Sequence, residues 1–220
     1  MEGYVSEDEQ VEALKKWWKE NWKSLASGVV MGVSILFALW AWRDYTRNQA
    51  EGASTEYQLL INAVDKGNAS AAVEHGERII KQYGQTSYAV FAAFAMAKLE
   101  VDKNDNAAAR KHLEWALQNA DSENMQHIAR LRLLRVMLDQ NEAQAVLNLI
   151  SSVPPGSFLA EYEEIKGDSY VQLKQLDKAK VAYQDALGAS GKVNAEKHEL
   201  LQMKLDDLGN NSHNAQGKAE

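Results

Sequence analysis

Residues 167–187 read GDSYVQLKQLDKAKVAYQDAL. Two runs with apolar residues at helical spacing stand on either side of a short polar segment, which is typical of two antiparallel helices joined by a turn. Small residues and tyrosines alternate at spacings of 3, 9, 4 and 3 residues, in the order Gly167, Tyr170, Ala179, Tyr183 and Ala186. The small residues let the helices approach closely and the tyrosines fill the remaining space, so the stretch predicts a helical hairpin.

The same plan recurs earlier in the chain. Residues 65–80 (DKGNASAAVEHGERII) and 102–117 (DKNDNAAARKHLEWAL) share Asp, Lys, two Ala, His and Glu at a period of 37, and residues 131–150 form a further unit. The alanines in register with Ala179 are Ala72, Ala109 and Ala143. Self-similarity at this period resembles the tetratricopeptide pattern, in which each repeat is one helical hairpin.

The repeats depart from the tetratricopeptide consensus. The glycine position of the last unit holds Leu60, Ala97 and Leu131 in the other units, and the aromatic residue expected before it is absent. Only two prolines occur, and Pro155 falls where the pattern commonly places its turn proline. We therefore predict an all-α protein with a degenerate tetratricopeptide-like α-solenoid of three to four hairpins.

A solenoid also needs a closing helix, because its last hairpin otherwise exposes an apolar face. Residues 193–208 supply an apolar stripe and Gly209 follows as a stop signal. The stripe consists of Val193, Leu200, Leu201, Met203, Leu205 and Leu208. We predict a capping helix that ends the repeat domain at residue 208 and a disordered tail over residues 209–220.

A second informative stretch lies near the N-terminus. Ser24 to Trp42 is an uncharged run whose helical length, roughly 28 Å, matches the hydrocarbon core of a bilayer. Five of the six tryptophans flank this run or stand at its end, where hydrocarbon meets headgroups: Trp17, Trp18, Trp22, Trp40 and Trp42. We predict a transmembrane helix over residues 24–42 with these tryptophans at the lipid interface.

Two alternatives to a membrane span are a buried core helix and a cleaved signal peptide. A core helix is seldom uncharged around its whole circumference for five turns. A signal peptide has a shorter apolar region, of about 7 to 15 residues, followed by a small-residue cleavage site. This run ends instead in bulky residues and Arg43. We therefore expect an uncleaved anchor.

The distribution of basic residues predicts the orientation. Four lysines precede the span within nine residues, whereas two arginines follow it closely. This bias favours a cytoplasmic segment at residues 1–23 and a periplasmic domain at residues 43–208. The first segment is amphipathic, and we expect an interfacial or extended helix there, the alternative being a simple extension of the span.

The composition restricts the possible functions. The formal net charge is −7, so we expect no nucleic-acid partner. The chain has no cysteine, which excludes thiol catalysis and disulfides and suits an oxidising compartment. The DKNDN segment at residues 102–106 resembles the start of a calcium loop, but Ala107 and Leu113 stand where Gly and Glu are required. With no nucleotide-binding or catalytic motif, we predict no enzyme, no cofactor and no metal site.

The repeat register predicts a binding surface. The first helix of each hairpin lines the concave side of a tetratricopeptide array, which places Tyr57, Phe91, Phe94, Arg132 and Arg135 there. Aromatic residues and arginines often carry interface energy, and the surface suits an extended or helical partner segment with acidic flanks. The alternative for Phe91 and Phe94 is that they fill the core between hairpins.

Several segments together resemble a known bacterial family. They are EDEQVEALKKWWKENWK at residues 7–23, the apolar span, QTSYAVFAAFAMAKLEVDKND at residues 85–105 and ELLQMKLDDL at residues 199–208. The chain is similar to the ancillary SecYEG translocon subunits, the YfgM-like inner-membrane proteins. The resemblance implies a single-pass protein whose periplasmic repeats contact the Sec translocon, a PpiD-type periplasmic chaperone, and unfolded or newly translocated proteins.

The sequence leaves two functions open. One is an adaptor whose solenoid binds a chaperone or an unfolded client beside the translocon. The other is a structural or regulatory subunit that acts through its anchor or its cytosolic segment, for which the resemblance implies a link to stress signalling.

Overall fold

The computed structural model describes residues 7–189 and 195–216. Within these ranges every regular element is helical, which confirms the predicted all-α fold. A short 3-10 turn at Gly156–Phe158 precedes the seventh helix. The α-helices are α1 (Glu7–Asp65), α2 (Ala69–Gln82), α3 (Ser87–Asp102), α4 (Asn106–Asn119), α5 (Glu123–Asp139), α6 (Ala143–Ser151), α7 (Leu159–Gln172), α8 (Leu176–Ala189) and α9 (Ala195–Gln216).

The chain divides into two compact units, one up to Glu51 and one from Gly52 onward. The repeat unit begins later than the residue 43 expected from sequence, and Ala53 is the first buried residue of α1. Of the helices described, α1 alone is long and apolar enough to cross a bilayer: its most apolar window has a mean hydropathy of 1.9 and no buried residue.

The predicted cytoplasmic segment and the predicted span belong to one unbroken helix. Residues 7–42 all lie within α1, while residues 1–6 lie outside the described part of the chain. The five tryptophans of this region are all exposed: Trp17, Trp18, Trp22, Trp40 and Trp42. Their contact with lipid and the orientation of the helix stay predictions.

The described part of the second unit contains four helical hairpins, followed by α9. The hairpins are formed by the end of α1 with α2, α3 with α4, α5 with α6, and α7 with α8. The four alanines predicted to be in register each lie in the first turn of a second helix and are at most 2% exposed: Ala72, Ala109, Ala143 and Ala179. The equivalent positions on the first helices are also buried, at Leu60, Ala97, Leu131 and Gly167. A Cβ added at Gly167 would overlap the ring of Tyr183, so glycine lets that ring pack directly on the α7 backbone.

The turn within each hairpin has the same geometry. One residue per turn takes a left-handed conformation with φ between 60° and 68°, namely Gly67, Asn104, Asn141 and Lys174. In each case the left-handed residue donates its N–H to the carbonyl three residues back, and the following residue donates to the carbonyl five residues back. These paired hydrogen bonds satisfy the last carbonyls of the first helix.

In the first two hairpins, the residue that follows the left-handed residue caps the N-terminus of the second helix. The side chain of Asn68 accepts a hydrogen bond from the Ala71 N–H at 3.1 Å, and that of Asp105 accepts one from Ala108 at 2.9 Å. Each side chain therefore satisfies one of the free N–H groups at a helix start. The DKNDN segment is thus a polar turn between helices.

Helix α9 packs on the last hairpin and combines apolar and ionic contacts. Leu201 and Leu208 are buried in a cluster with Tyr183. Lys204 contacts Asp168 at 2.8 Å and Glu164 at 2.9 Å. Because burial opposes the charge of Lys204 but the two carboxylates favour it, the net direction of its pKa is upward.

The bounds and the exposed face of α9 differ from the sequence prediction. The helix continues through Gly209 to Gln216, because a single glycine costs only about 1 kcal/mol and no proline follows it. Leu200 and Met203, which the predicted stripe included, are exposed, since the lysines share the packed face with Leu201 and Leu208. Val193 and residues 217–220 lie outside the described residues.

The turn geometry generates a prediction about Lys174, the only one of the four left-handed residues that is neither glycine nor asparagine. Lys174→Gly relieves the strain of a side chain at positive φ, and we expect a gain of about 0.5–1 kcal/mol in the free energy of unfolding. The measurement is thermal unfolding of the full chain in detergent, followed by circular dichroism.

The matched control is Lys180→Gly, at an exposed position inside α8 where φ is helical. This control should lose about 1 kcal/mol, because glycine disfavours a helix interior. Equal losses in both variants would contradict the assignment of strain to the turn.

Candidate partner-binding groove

All five residues that the sequence places on the concave side line one groove of about 530 Å³. Tyr57 comes from α1, Phe91 and Phe94 from α3, and Arg132 and Arg135 from α5. The groove therefore crosses the first helices of three successive hairpins.

The repeat period explains why these residues meet. Each first helix runs in the same direction, because an antiparallel second helix separates it from the next. Residues at equal distances from the ends of these helices therefore lie side by side. Tyr57, Phe94 and Arg132 stand eight, eight and seven residues before the last residues of α1, α3 and α5.

Aromatic side chains form one part of the groove wall. The ring of Tyr57 lies 6.1 Å from that of Phe91 and 5.7 Å from that of Tyr88, measured between centroids. Tyr88 and Phe91 meet edge to face at 6.4 Å. Tyr88 lies outside the lining of the groove and packs against the two rings that line it. The sequence prediction did not include it, although its place three residues before Phe91 puts the two rings on one helix face.

The alternative of core packing holds for Phe94 but does not remove it from the groove. Its side chain is 8% exposed and belongs to the main core with Leu113 and Val136. Phe91 is half-buried and packs against the same core. Phe94 thus forms part of the groove floor, while Phe91 and Tyr57 rise from it.

The two arginines bring positive charge to this apolar surface. The guanidinium carbon of Arg132 lies 4.4 Å above the centre of the Phe94 ring, in a cation–π contact. Partial loss of water around its guanidinium lowers the pKa of Arg132, although the residue as a whole is exposed, and the neighbouring charge of Arg135 lowers it further. Among the described residues, neither guanidinium forms a salt bridge or a side-chain hydrogen bond.

Tyr57 and its neighbour Glu56 have separate roles. Glu56 binds α1 to α2, with one oxygen 2.8 Å from His75 Nδ1 and the other 3.2 Å from Arg78. The hydrogen bond with His75 is the main cause of the lowered pKa of Glu56. Tyr57 faces the groove, where burial raises the pKa of its hydroxyl and the charge of Arg132 acts in the opposite direction.

Three further charged residues line the groove and were not predicted. Lys98 forms an ion pair with Asp102 at 3.0 Å along α3, and Asp139 lies at the end of α5. Their spacing contains the missing signal, because Lys98 and Arg135 are 37 residues apart, and so are Asp102 and Asp139. No cluster of His, Asp or Glu suited to a metal occurs in the described part of the chain. The arrangement is suited to binding a polypeptide segment by apolar contact and charge.

Comparisons with known proteins extend over nearly the whole chain. The family described as a tetratricopeptide repeat-like domain matches residues 15–210. The ancillary SecYEG translocon subunit of Haemophilus influenzae is 30% identical over 206 residues, covering 93% of this chain and 98% of that protein. The protein of the same name from Escherichia coli K12 is 29% identical, and the match covers 94% of this chain and 99% of that protein. The protein of the same name from Neisseria gonorrhoeae is 26% identical, and the match covers 94% of this chain and 100% of that protein. No solved structure matches the chain.

Proposed function

Because the chain belongs to the tetratricopeptide repeat-like family of ancillary SecYEG translocon subunits, a non-enzymatic adaptor family, we propose that it is a membrane-anchored adaptor of the Sec translocon. In this role it receives newly translocated proteins and passes them to periplasmic chaperones of the PpiD type. The observation that carries the proposal is the groove, in which aromatic rings meet two arginines that have no ion-pair partner among the described residues, with side chains supplied by three hairpins.

The proposed site of action is the periplasmic side of the inner membrane. The uncharged stretch of α1 supplies the anchor, and the lysines that precede it retain the N-terminus in the cytoplasm. The repeat domain then lies in the compartment into which the translocon delivers its substrates. The absence of cysteine suits that oxidising compartment.

The groove is suited to transient capture of a client or of a chaperone segment. The rings of Tyr57, Phe91 and Phe94 offer apolar area. Arg132 and Arg135 offer planar donors that remain exposed to water. Partner side chains can therefore gain apolar contact and ionic contact at one place. Such a site binds through a few residues and does not require a large interface.

A second candidate function is a structural or regulatory subunit that acts through the anchor or the cytosolic segment. The observation that favours it is the unbroken helix from Glu7 through the span, which exposes Val11 and Leu14 together with five tryptophans. Removal of residues 50–220 separates the two functions. An adaptor loses the chaperone and the clients on truncation, whereas an anchor-based subunit retains its partners in co-purification from membranes.

The first testable prediction of the proposed function concerns the orientation of the chain in the membrane. We expect protease added to intact spheroplasts to digest the repeat domain and to spare an epitope tag fused to the N-terminus, because four lysines precede the span. Immunoblots for the tag and for the repeat domain give the result. Loss of the tag in intact spheroplasts would reverse the orientation.

The second prediction concerns the groove. Arg132→Glu combined with Arg135→Glu places two negative charges where the wild type has two positive ones. We expect co-purified chaperone and client to fall at least about fivefold, since each reversed contact changes binding by about 1 kcal/mol. Helix content and melting temperature should stay nearly constant, because both side chains are exposed.

The matched control is Lys111→Glu, which reverses an exposed charge on the second helix α4 outside the groove. It should leave capture unchanged. Full capture by the double arginine variant would assign partner binding to another face or to the anchor.

A further inference from the structure

The charges in the groove change sign along the helices. The groove-lining residues of α3 and α5 form three levels that follow one another toward the ends of both helices. The levels are Phe94 with Arg132, Lys98 with Arg135, and Asp102 with Asp139. From Arg132 to Asp139 the helix rises roughly 10 Å. One end of the groove is therefore cationic and the other anionic.

The two helices differ in how far these charges are compensated. On α3, Lys98 and Asp102 neutralise each other at 3.0 Å. On α5, Arg135 and Asp139 have the same spacing in sequence, but they form no ion pair. Arg135 instead stands near Arg132, and the two like charges repel each other. Within the described residues, Arg132, Arg135 and Asp139 thus lack an oppositely charged partner.

The hydroxyl of Tyr57 adds a polar group at the cationic end. It makes no hydrogen bond with the described residues, and Arg132 lies near enough for its positive charge to act on the hydroxyl. A carboxylate placed here can accept hydrogen bonds from a guanidinium and from the tyrosine hydroxyl. It would also relieve the repulsion between the arginines.

We propose that the groove takes a partner segment of mixed charge. Its carboxylate binds at Tyr57, Arg132 and Arg135, and an apolar side chain packs on the floor formed by Phe94. A lysine or arginine of the same segment binds at Asp139. The proposal rests on the proposed function, since it requires that the groove be the partner site.

The mixed-charge segment differs from the one that the sequence suggests. A segment with acidic residues on both sides would place its second carboxylate against Asp102 and Asp139, where like charges repel. A purely apolar segment would leave the arginines without an anion. The order of charges in the groove therefore selects among partners that have similar apolar residues.

The test uses fluorescent synthetic peptides and the full chain in lipid nanodiscs. The 10 Å between Arg132 and Asp139 corresponds to three residues of extended chain or seven residues of helix. Two peptide sets therefore carry Glu and Lys at one or the other of these separations, around Leu and Phe. In each set the matched peptides carry two Glu, two Lys or two Gln at the charged positions. Fluorescence anisotropy gives the affinities.

We expect the mixed-charge peptide of at least one set to bind about fivefold more tightly than each of its matched peptides. This preference should shrink at high salt, because exposed charges are screened. Equal affinity for the doubly acidic peptide in both sets would overturn the proposal. So would failure of every peptide to bind.

Variants of the chain locate the preference in the groove. Asp139→Asn should tighten binding of the doubly acidic peptide about fivefold, whereas Arg135→Gln should weaken binding of the mixed-charge peptide by a similar factor. The controls Asp207→Asn and Lys111→Gln alter exposed charges outside the groove and should change neither affinity.

The outcomes also separate this proposal from the proposed function. If Arg132→Glu with Arg135→Glu abolishes partner capture while Asp139→Asn leaves peptide preference unchanged, the groove is the partner site and the charge order is irrelevant. That result would overturn the mixed-charge proposal alone.

Discussion

In each hairpin of the repeat domain, a residue with positive φ lies two positions after the end of the first helix, and two backbone hydrogen bonds around that residue fix the direction of the second helix. The second helix can then lie close against the first, because an alanine stands in its first turn in all four hairpins. Since this turn repeats after 37 residues in the first three hairpins, equivalent residues of α1, α3 and α5 lie side by side. The groove is a consequence of this register: a turn of different length would separate Tyr57, Phe94 and Arg132.

The same constraint explains what the sequence can predict. The alanine register and the helical period suffice to place five groove residues, and all five line one cavity. Asp139 carries the same kind of signal, because it stands 37 residues after Asp102, but the signal becomes visible only when the first helices are compared with one another. Which charges form ion pairs cannot be predicted in this way, because Lys98 pairs with Asp102 while Arg135 and Asp139, at the same spacing, do not pair. Side-chain conformation decides that difference and does not follow from spacing. The cation–π contact of Arg132 with Phe94 does not follow from spacing either.

The end of the solenoid shows where an apolar pattern is an insufficient guide. The stripe of α9 predicts that leucines and a methionine pack together, but two lysines occupy part of the packed face. Lys197 contacts Glu161 at 2.6 Å, and Lys204 joins Glu164 with Asp168. Glu164 is 7% exposed, and a buried carboxylate requires a cation of this kind. Ionic contacts therefore displace Leu200 and Met203 to the surface, and the long aliphatic stems of the lysines can supply apolar contact in their place.

In the proposed function, the groove across α1, α3 and α5 holds the partner of a Sec-associated adaptor. Site-specific photocrosslinking in living cells tests it most directly, with a photoreactive amino acid in place of Lys98 inside the groove or of Lys111 on the outer helix α4. We expect crosslinks from position 98 to a periplasmic chaperone or to a protein in transit, and a loss of these crosslinks when translocation is blocked. Crosslinks of equal yield from position 111, or none from position 98, would contradict it.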